Sequence, residues 1–138
     1  MSDDLVQWLG EQFDEDERIA KEAGARSLTW KLVTPLDDAE LGDAHWLQPP
    51  ELKHAERHDP ARVLREIDAK RRVLARHCAA PVPPGNEWAE AYPYCAAHAY
   101  KEPGGTVVYP IELKNCPELR DLATPYADRP GYREEWRP

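Results

Sequence analysis

The chain has 138 residues, a formal net charge of −8, 14 prolines and 3 cysteines. This length fits one domain with a modest core, and the acidic balance argues against a protein that binds nucleic acid over its whole surface, because such proteins carry a basic excess. No apolar run approaches the roughly 18 residues that a bilayer span needs, and the acidic start is unlike a signal peptide, so we expect a cytoplasmic protein that does not bind membranes.

Residues 3–23 are predicted to form the first helix. Acidic residues at its start suit the positive end of the helix dipole, and Gly24 follows its end. At 3.6 residues per turn the apolar residues fall on one stripe that should face the core. They are Leu5, Trp8, Leu9, Phe13, Ile19, Ala20 and Ala23.

The next two segments predict a strand and a short helix. Residues 27–33 alternate apolar and polar side chains, which predicts a strand with Leu28, Trp30 and Leu32 facing inward. Trp46-Leu47 is a candidate second strand. Residues 50–58 favour a short helix that carries His54 and His58 at i, i+4. This spacing permits a shared metal, although surface histidines are the simpler interpretation.

A second long helix is predicted for residues 60–78, with Asp59 as its cap and Pro60 in its first turn. Between Arg62 and Arg76 it carries six basic and two acidic residues, a net +4. One interpretation is a phosphate-binding face, and the other is packing of this helix against the acidic first helix, with Arg71 meeting Asp16. The arginines of the phosphate-binding alternative are Arg62, Arg65, Arg72 and Arg76.

The C-terminal third contains the residue types of a metal site. Cys95 and His98 are separated by two residues, the spacing of a tight knuckle whose two side chains reach one ion. Cys116 comes after a turn and a strand, and either His77 or Cys78 at the end of the long helix can be the fourth donor. Four nitrogen and sulfur donors are the closed composition of structural zinc, and clustered cysteines in a reducing compartment indicate a metal more than a disulfide.

Nothing in the sequence predicts a catalytic residue. A catalytic zinc needs an open position and a general base, and no spacing singles out Glu87, Glu90 or Glu102 as that base. Phosphate loops, nucleophile elbows and His-Glu-x-x-His helices are absent from the sequence. Residues 117–123 predict a last short helix, and the Tyr- and Trp-rich residues 126–138 predict a tail that folds back on the helices.

Three groups of residues resemble an uncharacterised family, a domain of unknown function found in small actinobacterial and actinophage proteins. The segments are Arg57-His58-Asp59-Pro60-Ala61-Arg62-Val63-Leu64-Arg65-Glu66-Ile67, then Ala69-Lys70-Arg71-Arg72, and the ending from Pro125 to Pro138. In that family the helix ends in histidine, and a Cys-x-x-Cys pair and a further cysteine follow. The resemblance implies the donor set His77, Cys95, His98 and Cys116, with His98 in place of the usual cysteine, and it implies no reaction.

The sequence therefore predicts a single α+β domain over residues 1–138. Its parts are two long packed helices, a sheet of two or three short strands, and a zinc-stapled subregion over residues 77–138. We expect structural zinc as the cofactor and a non-enzymatic protein-binding or regulatory role, in the host cytoplasm if the protein is phage-encoded. The alternatives are a nucleic-acid-associated accessory protein that uses the basic helix and a zinc-dependent hydrolase.

Overall fold

The computed structural model describes residues 4–32, 47–82, 84–87 and 92–138. In chain order they form α1 (Asp4–Ala23), α2 (Pro49–Arg57), α3 (Pro60–Arg76), β1 (Tyr100–Lys101), β2 (Val107–Val108) and α4 (Pro117–Ala123). The predicted α+β class is confirmed. The chain divides into two compact units, unit 1 with residues 1–14 and 69–138 and unit 2 with residues 15–68. That the chain forms a single domain stays a prediction.

The apolar stripe of α1 is buried along most of its length. Its buried members are Leu5, Trp8, Leu9, Phe13 and Ala20. The predicted stripe is wrong at its C-terminal end, because Ile19 is 49% exposed and Ala23 is exposed as well. In unit 2 Ile19 lines an open, mostly apolar cleft instead of a closed core.

Residues 27–32 do not form the predicted strand. Two of their backbone amides bond to side chains rather than to a neighbouring strand. The amide of Trp30 donates to Asp59 Oδ2, just before α3, at 3.2 Å, and that of Leu32 donates to Glu56 Oε2 of α2 at 3.2 Å. Leu28, predicted to face inward, is 47% exposed. Alternating side chains favour a strand only where another strand accepts its ladder of hydrogen bonds. Of the second candidate strand, Trp46 lies outside the described residues and Leu47 is not in a strand.

The short helix predicted for residues 50–58 is observed as α2, which begins one residue earlier at Pro49 and ends at Arg57, and α3 begins at the predicted Pro60. In α2 the apolar side chain of Leu52 is buried, and the exposed rings of His54 and His58 stack with centroids 4.3 Å apart. The cap of α3 is Asp59, whose Oδ1 accepts the amide hydrogen of Arg62 at 2.9 Å. This hydrogen bond is the main reason why the pKa of Asp59 is lowered. The helix ends at Arg76, two residues before the predicted end at Cys78.

In unit 1 the aromatic tail packs against α1 and buries Tyr126 and Trp136. The ring of Trp8 lies 6.4 Å from that of Tyr126, 5.8 Å from that of Tyr132 and 5.4 Å from that of Trp136, measured between centroids. The predicted return of the tail onto the helices is thus confirmed within unit 1. Aromatic rings at these separations and tilts contribute attraction beyond the burial of their area.

An ion pair in unit 1 joins the two long helices, since Arg71 Nη2 of α3 lies 2.8 Å from Asp14 Oδ1 of α1. The pairing of Arg71 with Asp16 stays a prediction. The sheet of unit 1 consists of β1 and β2, which run antiparallel with Tyr100 opposite Val108. Among the described helices, none combines the length and apolar character needed to cross a membrane.

Candidate metal centre

Three short extended segments of unit 1 lie side by side and bring the predicted donors together. The middle segment, residues 93–95, bonds to residues 79–80 on one side and to residues 111–113 on the other. Ala80 N–H donates to Tyr94 O at 2.7 Å, Cys95 N–H to Ile111 O at 2.8 Å and Leu113 N–H to Pro93 O at 2.8 Å. Two isolated antiparallel β-bridges, one between Ala79 and Cys95 and one between Tyr94 and Glu112, belong to the same arrangement. These contacts link parts of the chain that are distant in sequence.

Each donor occupies the end of a local element. His77 is in the turn directly after α3, where its amide still bonds to Val73 O at 3.1 Å. Cys95 precedes a single 3₁₀ turn over residues 96–98, and that turn ends at His98. Cys116 follows a second 3₁₀ turn, residues 113–115, and precedes Pro117 at the first position of α4. Pro117 suits a helix start because the first-turn amides have no helical partner.

The four donor atoms all lie within 4.8 Å of one another. His77 Nδ1 is 3.4 Å from Cys95 Sγ and 3.4 Å from Cys116 Sγ, and His98 Nε2 is 3.5 Å from Cys116 Sγ. In a tetrahedral site with Zn–S bonds of about 2.3 Å and Zn–N bonds of about 2.0 Å, nitrogen and sulfur donors are separated by about 3.5 Å. The observed nitrogen–sulfur separations therefore have the size that one shared ion requires.

The donor set is also chemically suited to a divalent ion of borderline softness. Two thiols and two imidazoles are the composition of many structural zinc sites, which need no water as a ligand. Cys95 and Cys116 are fully buried, His77 is buried and His98 is half-buried. Both cysteines are buried with ring nitrogens at contact distance, an arrangement that could hold a metal ion.

Burial sets the proton chemistry of the cluster. It raises the pKa of the Cys116 thiol to about 12, with the nearby Cys95 adding to the rise. It also lowers the pKa of His77, against an opposing attraction from the carboxylate of Glu118. In the absence of an ion burial thus favours the neutral forms of Cys116 and His77, and a divalent cation would reverse this preference at Cys116 because it binds thiolate.

Glu118 is a functional candidate that the sequence reasoning missed. Its Oε2 atom lies 2.9 Å from His98 Nε2, 3.4 Å from Cys116 Sγ and 4.0 Å from His77 Nδ1. The pKa of the Glu118 carboxyl is lowered, first by a hydrogen bond from its own backbone amide and further by contacts with Cys116 and His98. The signal in the sequence was its position two residues after Cys116, in the first turn of α4.

The other predicted site residues lie elsewhere. Cys78, the alternative to His77, is exposed, and it is not among the four clustered donors. Of the carboxylates considered for catalysis, Glu87 and Glu102 are exposed and Glu90 lies outside the described residues. Of the four arginines in the nucleic-acid alternative, three are exposed and Arg62 is half-buried with its guanidinium on Glu66 at 2.7 Å. The exposed three are Arg65, Arg72 and Arg76.

Aromatic and aliphatic residues both lie near the cysteines of the cluster in sequence. Tyr94 is half-buried beside Cys95, whereas Tyr92 is 48% exposed. Trp88 lies outside the described residues. The buried apolar residues that flank Cys116 are Leu113 and Leu119, one on each side in sequence.

Comparisons with known proteins identify a family without assigning an activity. No curated protein matches the chain, and no solved structure matches it. A family model described as a family of unknown function, DUF6221, matches residues 2–138. This match covers almost the whole sequence, including all four clustered donors. The chain belongs to the family of unknown function DUF6221.

Proposed function

We propose that the chain is a small metal-binding protein in which His77, Cys95, His98 and Cys116 hold one structural zinc ion. The single observation that carries this proposal is the convergence of their four donor atoms within 4.8 Å. They come from three separate stretches of sequence, so their meeting depends on the fold of unit 1. A structural ion stabilises such a loop-rich region by on the order of 10 kcal/mol, because the site does not exist in the unfolded chain.

The chief chemical alternative for two neighbouring buried thiols is a disulfide. A disulfide between Cys95 and Cys116 would give no role to the ring nitrogens of His77 and His98, which both lie within 3.5 Å of Cys116 Sγ. A metal ion uses all four side chains. The donor geometry therefore favours an ion over a redox pair.

The biological role that we propose is non-enzymatic, as a protein-binding or regulatory accessory factor of a bacterium or its phage. A four-ligand shell leaves no open position for a catalytic water, which argues against the zinc-hydrolase alternative. Exposed apolar side chains in unit 2, Ile19 and Leu28, supply surface of the kind that protein partners cover. The cleft of about 290 Å³ that Ile19 lines also contains Trp30 and Val63.

Nucleic-acid binding is the second candidate function, and the exposure of Arg65, Arg72 and Arg76 favours it. Because these arginines are exposed, they can contact phosphates, whereas the net charge of −8 opposes binding to a nucleic acid. Salt-dependent binding of DNA or RNA that is lost on reversing the three charges would support this candidate. No binding even at low salt would remove it.

Metal content of the purified chain tests the main proposal. Protein prepared under reducing conditions is analysed for bound metals by mass spectrometry, beside the variants Cys95→Ser, Cys116→Ser and Cys78→Ser. We expect one zinc per chain in the wild type and in Cys78→Ser, the matched control with an exposed thiol next to the cluster. Both buried-cysteine variants should lose the ion. A wild type with no bound metal would overturn the proposal, as would a wild type purified without reductant in which two of the thiols react only after reduction.

A further inference from the structure

Two exposed histidines of unit 2 lie side by side at the C-terminal end of α2. His54 is in the last turn of the helix and His58 directly follows its end, a spacing of i, i+4 that places both side chains on one face. Their ring centroids are 4.3 Å apart, with the ring planes inclined at 33°. Neither ring belongs to the candidate metal centre of unit 1.

A backbone contact fixes the ring of His58. Its Nδ1 atom lies 2.9 Å from the carbonyl oxygen of His54. Because a carbonyl oxygen only accepts, Nδ1 carries the proton of this hydrogen bond, and the neutral ring keeps its lone pair at Nε2. Histidines that bind metals almost always donate their other ring N–H to a carbonyl, a carboxylate or water, which holds the ring and its tautomer. His58 therefore has the supporting hydrogen bond of a metal-binding imidazole.

The separation of the two rings suits two nitrogens on one ion. With nitrogen–metal bonds of about 2.1 Å and about 1.1 Å from each nitrogen to its ring centroid, two imidazoles bound at a right angle have centroids about 4.5 Å apart. The observed separation of 4.3 Å is close to this value. The exposed ring of His54 can turn about its own bonds to direct a nitrogen at the ion, while the ring of His58 stays on the carbonyl oxygen.

The chemistry of the pair selects a class of ion. Imidazole nitrogens suit copper(II), nickel(II) and zinc, whereas magnesium and calcium take oxygen ligands. Two protein donors do not complete the shell of such an ion, and because both histidines are exposed, water can occupy the other positions. The net charge of −8 adds a general attraction for cations.

We propose that His54 and His58 form an open, exchangeable site for a divalent ion of the nickel(II) and copper(II) class. The site uses none of the donors of the proposed structural zinc, so it goes beyond the proposed function and does not depend on it. Water completes the shell of the ion, and a donor from another molecule can replace that water. The site is thus suited to reversible binding, in contrast to a closed four-ligand shell.

Nickel(II) is the probe that tests this site, because it does not oxidise thiols as copper(II) does. Protein freed of loosely bound metal by gel filtration is titrated with Ni²⁺ by calorimetry at pH 8, where free imidazole is neutral. The variants are His54→Ala, His58→Ala and a control that combines Lys53→His with His54→Ala. The control keeps two exposed histidines but separates them by five residues, on different faces of the helix, and it removes a positive charge. Circular dichroism verifies the fold of each variant.

We expect the wild type to bind Ni²⁺ at this site, and both alanine variants and the control to bind it at least about tenfold more weakly, because the second imidazole binds intramolecularly. An excess of Mg²⁺ should not compete. Equal Ni²⁺ affinity in the wild type and the two alanine variants would overturn the inference. So would a control that binds as tightly as the wild type, since attraction by charge alone would then explain the binding, or a wild type that binds no Ni²⁺.

The tautomer of His58 supplies a second readout. Nitrogen chemical shifts of its neutral ring should show Nδ1 as the protonated atom before Ni²⁺ is added, as the hydrogen bond to His54 requires. A ring protonated at Nε2 instead would contradict the inference, because the lone pair that binds the ion would be missing. Zinc content should be the same in all of these variants, so a failure of this site is distinguished from a failure of the proposed structural zinc.

Discussion

Trp8 of α1 donates its indole N–H to the carbonyl oxygen of Pro130, at 3.0 Å, and so links the first helix of unit 1 to the aromatic tail. The next residue, Gly131, has a φ of 88°, and a Cβ at this position would lie 2.7 Å from Trp8 Nε1. Both the backbone conformation and the close approach of the ring require glycine there.

Gly131→Ala should therefore destabilise the protein for two reasons that a matched control separates. Gly105 also has a φ of 88°, but a Cβ there meets nothing within 4 Å. We expect Gly105→Ala to lower the free energy of unfolding by about 1 kcal/mol, the cost of the left-handed backbone, and Gly131→Ala to lower it by about 2 to 4 kcal/mol because the alanine methyl also displaces Trp8. Urea unfolding followed by tryptophan fluorescence measures both values. Equal losses in the two variants would show that Trp8 yields without cost.

Tyr126 combines a buried ring with a polar contact. Its ring is 3% exposed, its hydroxyl accepts a hydrogen bond from Lys70 Nζ at 2.9 Å, and the guanidinium carbon of Arg129 lies 4.6 Å from its centroid. Tyr126→Phe removes the hydroxyl and keeps the ring, so we expect a loss of about 0.5 to 1.5 kcal/mol in the free energy of unfolding. Tyr126→Leu should cost more, because it also removes the cation–π contacts with Lys70 and Arg129.

A double-mutant cycle with Lys70→Met isolates the hydroxyl contact. If the hydrogen bond contributes as described, the losses of Tyr126→Phe and Lys70→Met are not additive, and the double variant is hardly less stable than Lys70→Met, which also loses the cation–π contact with the ring. Additive losses would mean that Lys70 and the hydroxyl contribute to stability independently, with each group hydrogen-bonded to water instead of to the other.

Local sequence signals predicted where a helix begins better than they predicted which parts of the chain pack or pair with each segment. Asp59 and Pro60 predict the start of α3 because capping is decided by neighbouring residues. The strand predicted for residues 27–33 failed over its described part because pairing depends on a distant partner, and Asp59 and Glu56 took the amides of Trp30 and Leu32 instead. The helical periodicity likewise placed Ile19 on the apolar stripe of α1, but it could not indicate that this side chain would stay largely exposed.

The cluster of His77, Cys95, His98 and Cys116 shows the same difference between local and distant signals. The spacing of Cys95 and His98 is a local signal, and it predicted two donors of the cluster. Glu118 could not be found in this way, since glutamate in the first turn of a helix is ordinarily explained by the helix dipole. Only the folded structure, which brings Cys116, His98 and His77 together, shows that its carboxylate lies beside all three of these side chains. The spacing of residues alone left His77 and Cys78 open, the family resemblance favoured His77, and the structure has His77 in the cluster and Cys78 exposed.

Removing the ion should loosen the three extended segments before it affects α1. Cys95 N–H donates to Ile111 O, and Ala96 N–H donates to Cys78 O at 2.9 Å. Such hydrogen bonds join extended segments that are too short to be stable alone. We expect a strong chelator to increase hydrogen exchange at Ala80, Cys95, Ala96 and Leu113 by a large factor, with a smaller effect on the buried middle of α1 near Leu9. Exchange resolved by residue with NMR measures this. Uniform acceleration over the whole of unit 1 would indicate instead that the ion stabilises all of it cooperatively.

Metal affinity should rise with pH, because burial raises the pKa of the Cys116 thiol to about 12 in the metal-free protein. An ion binds the thiolate, so it must displace this proton at any pH below that value, and each proton released increases the apparent affinity about tenfold per pH unit. His77 adds little to this pH dependence, because its pKa is lowered and a ring that is already neutral has no proton to lose near neutral pH. Competition with a chromophoric chelator at pH 6.5 to 8.5, corrected for the protonation of the chelator, measures the slope. In the metal-free protein the same raised pKa costs stability only at high pH, from the ordinary thiol value of 9.0 upward, because the unfolded chain ionises first. An affinity that does not change with pH would mean that no thiol of the cluster is a ligand.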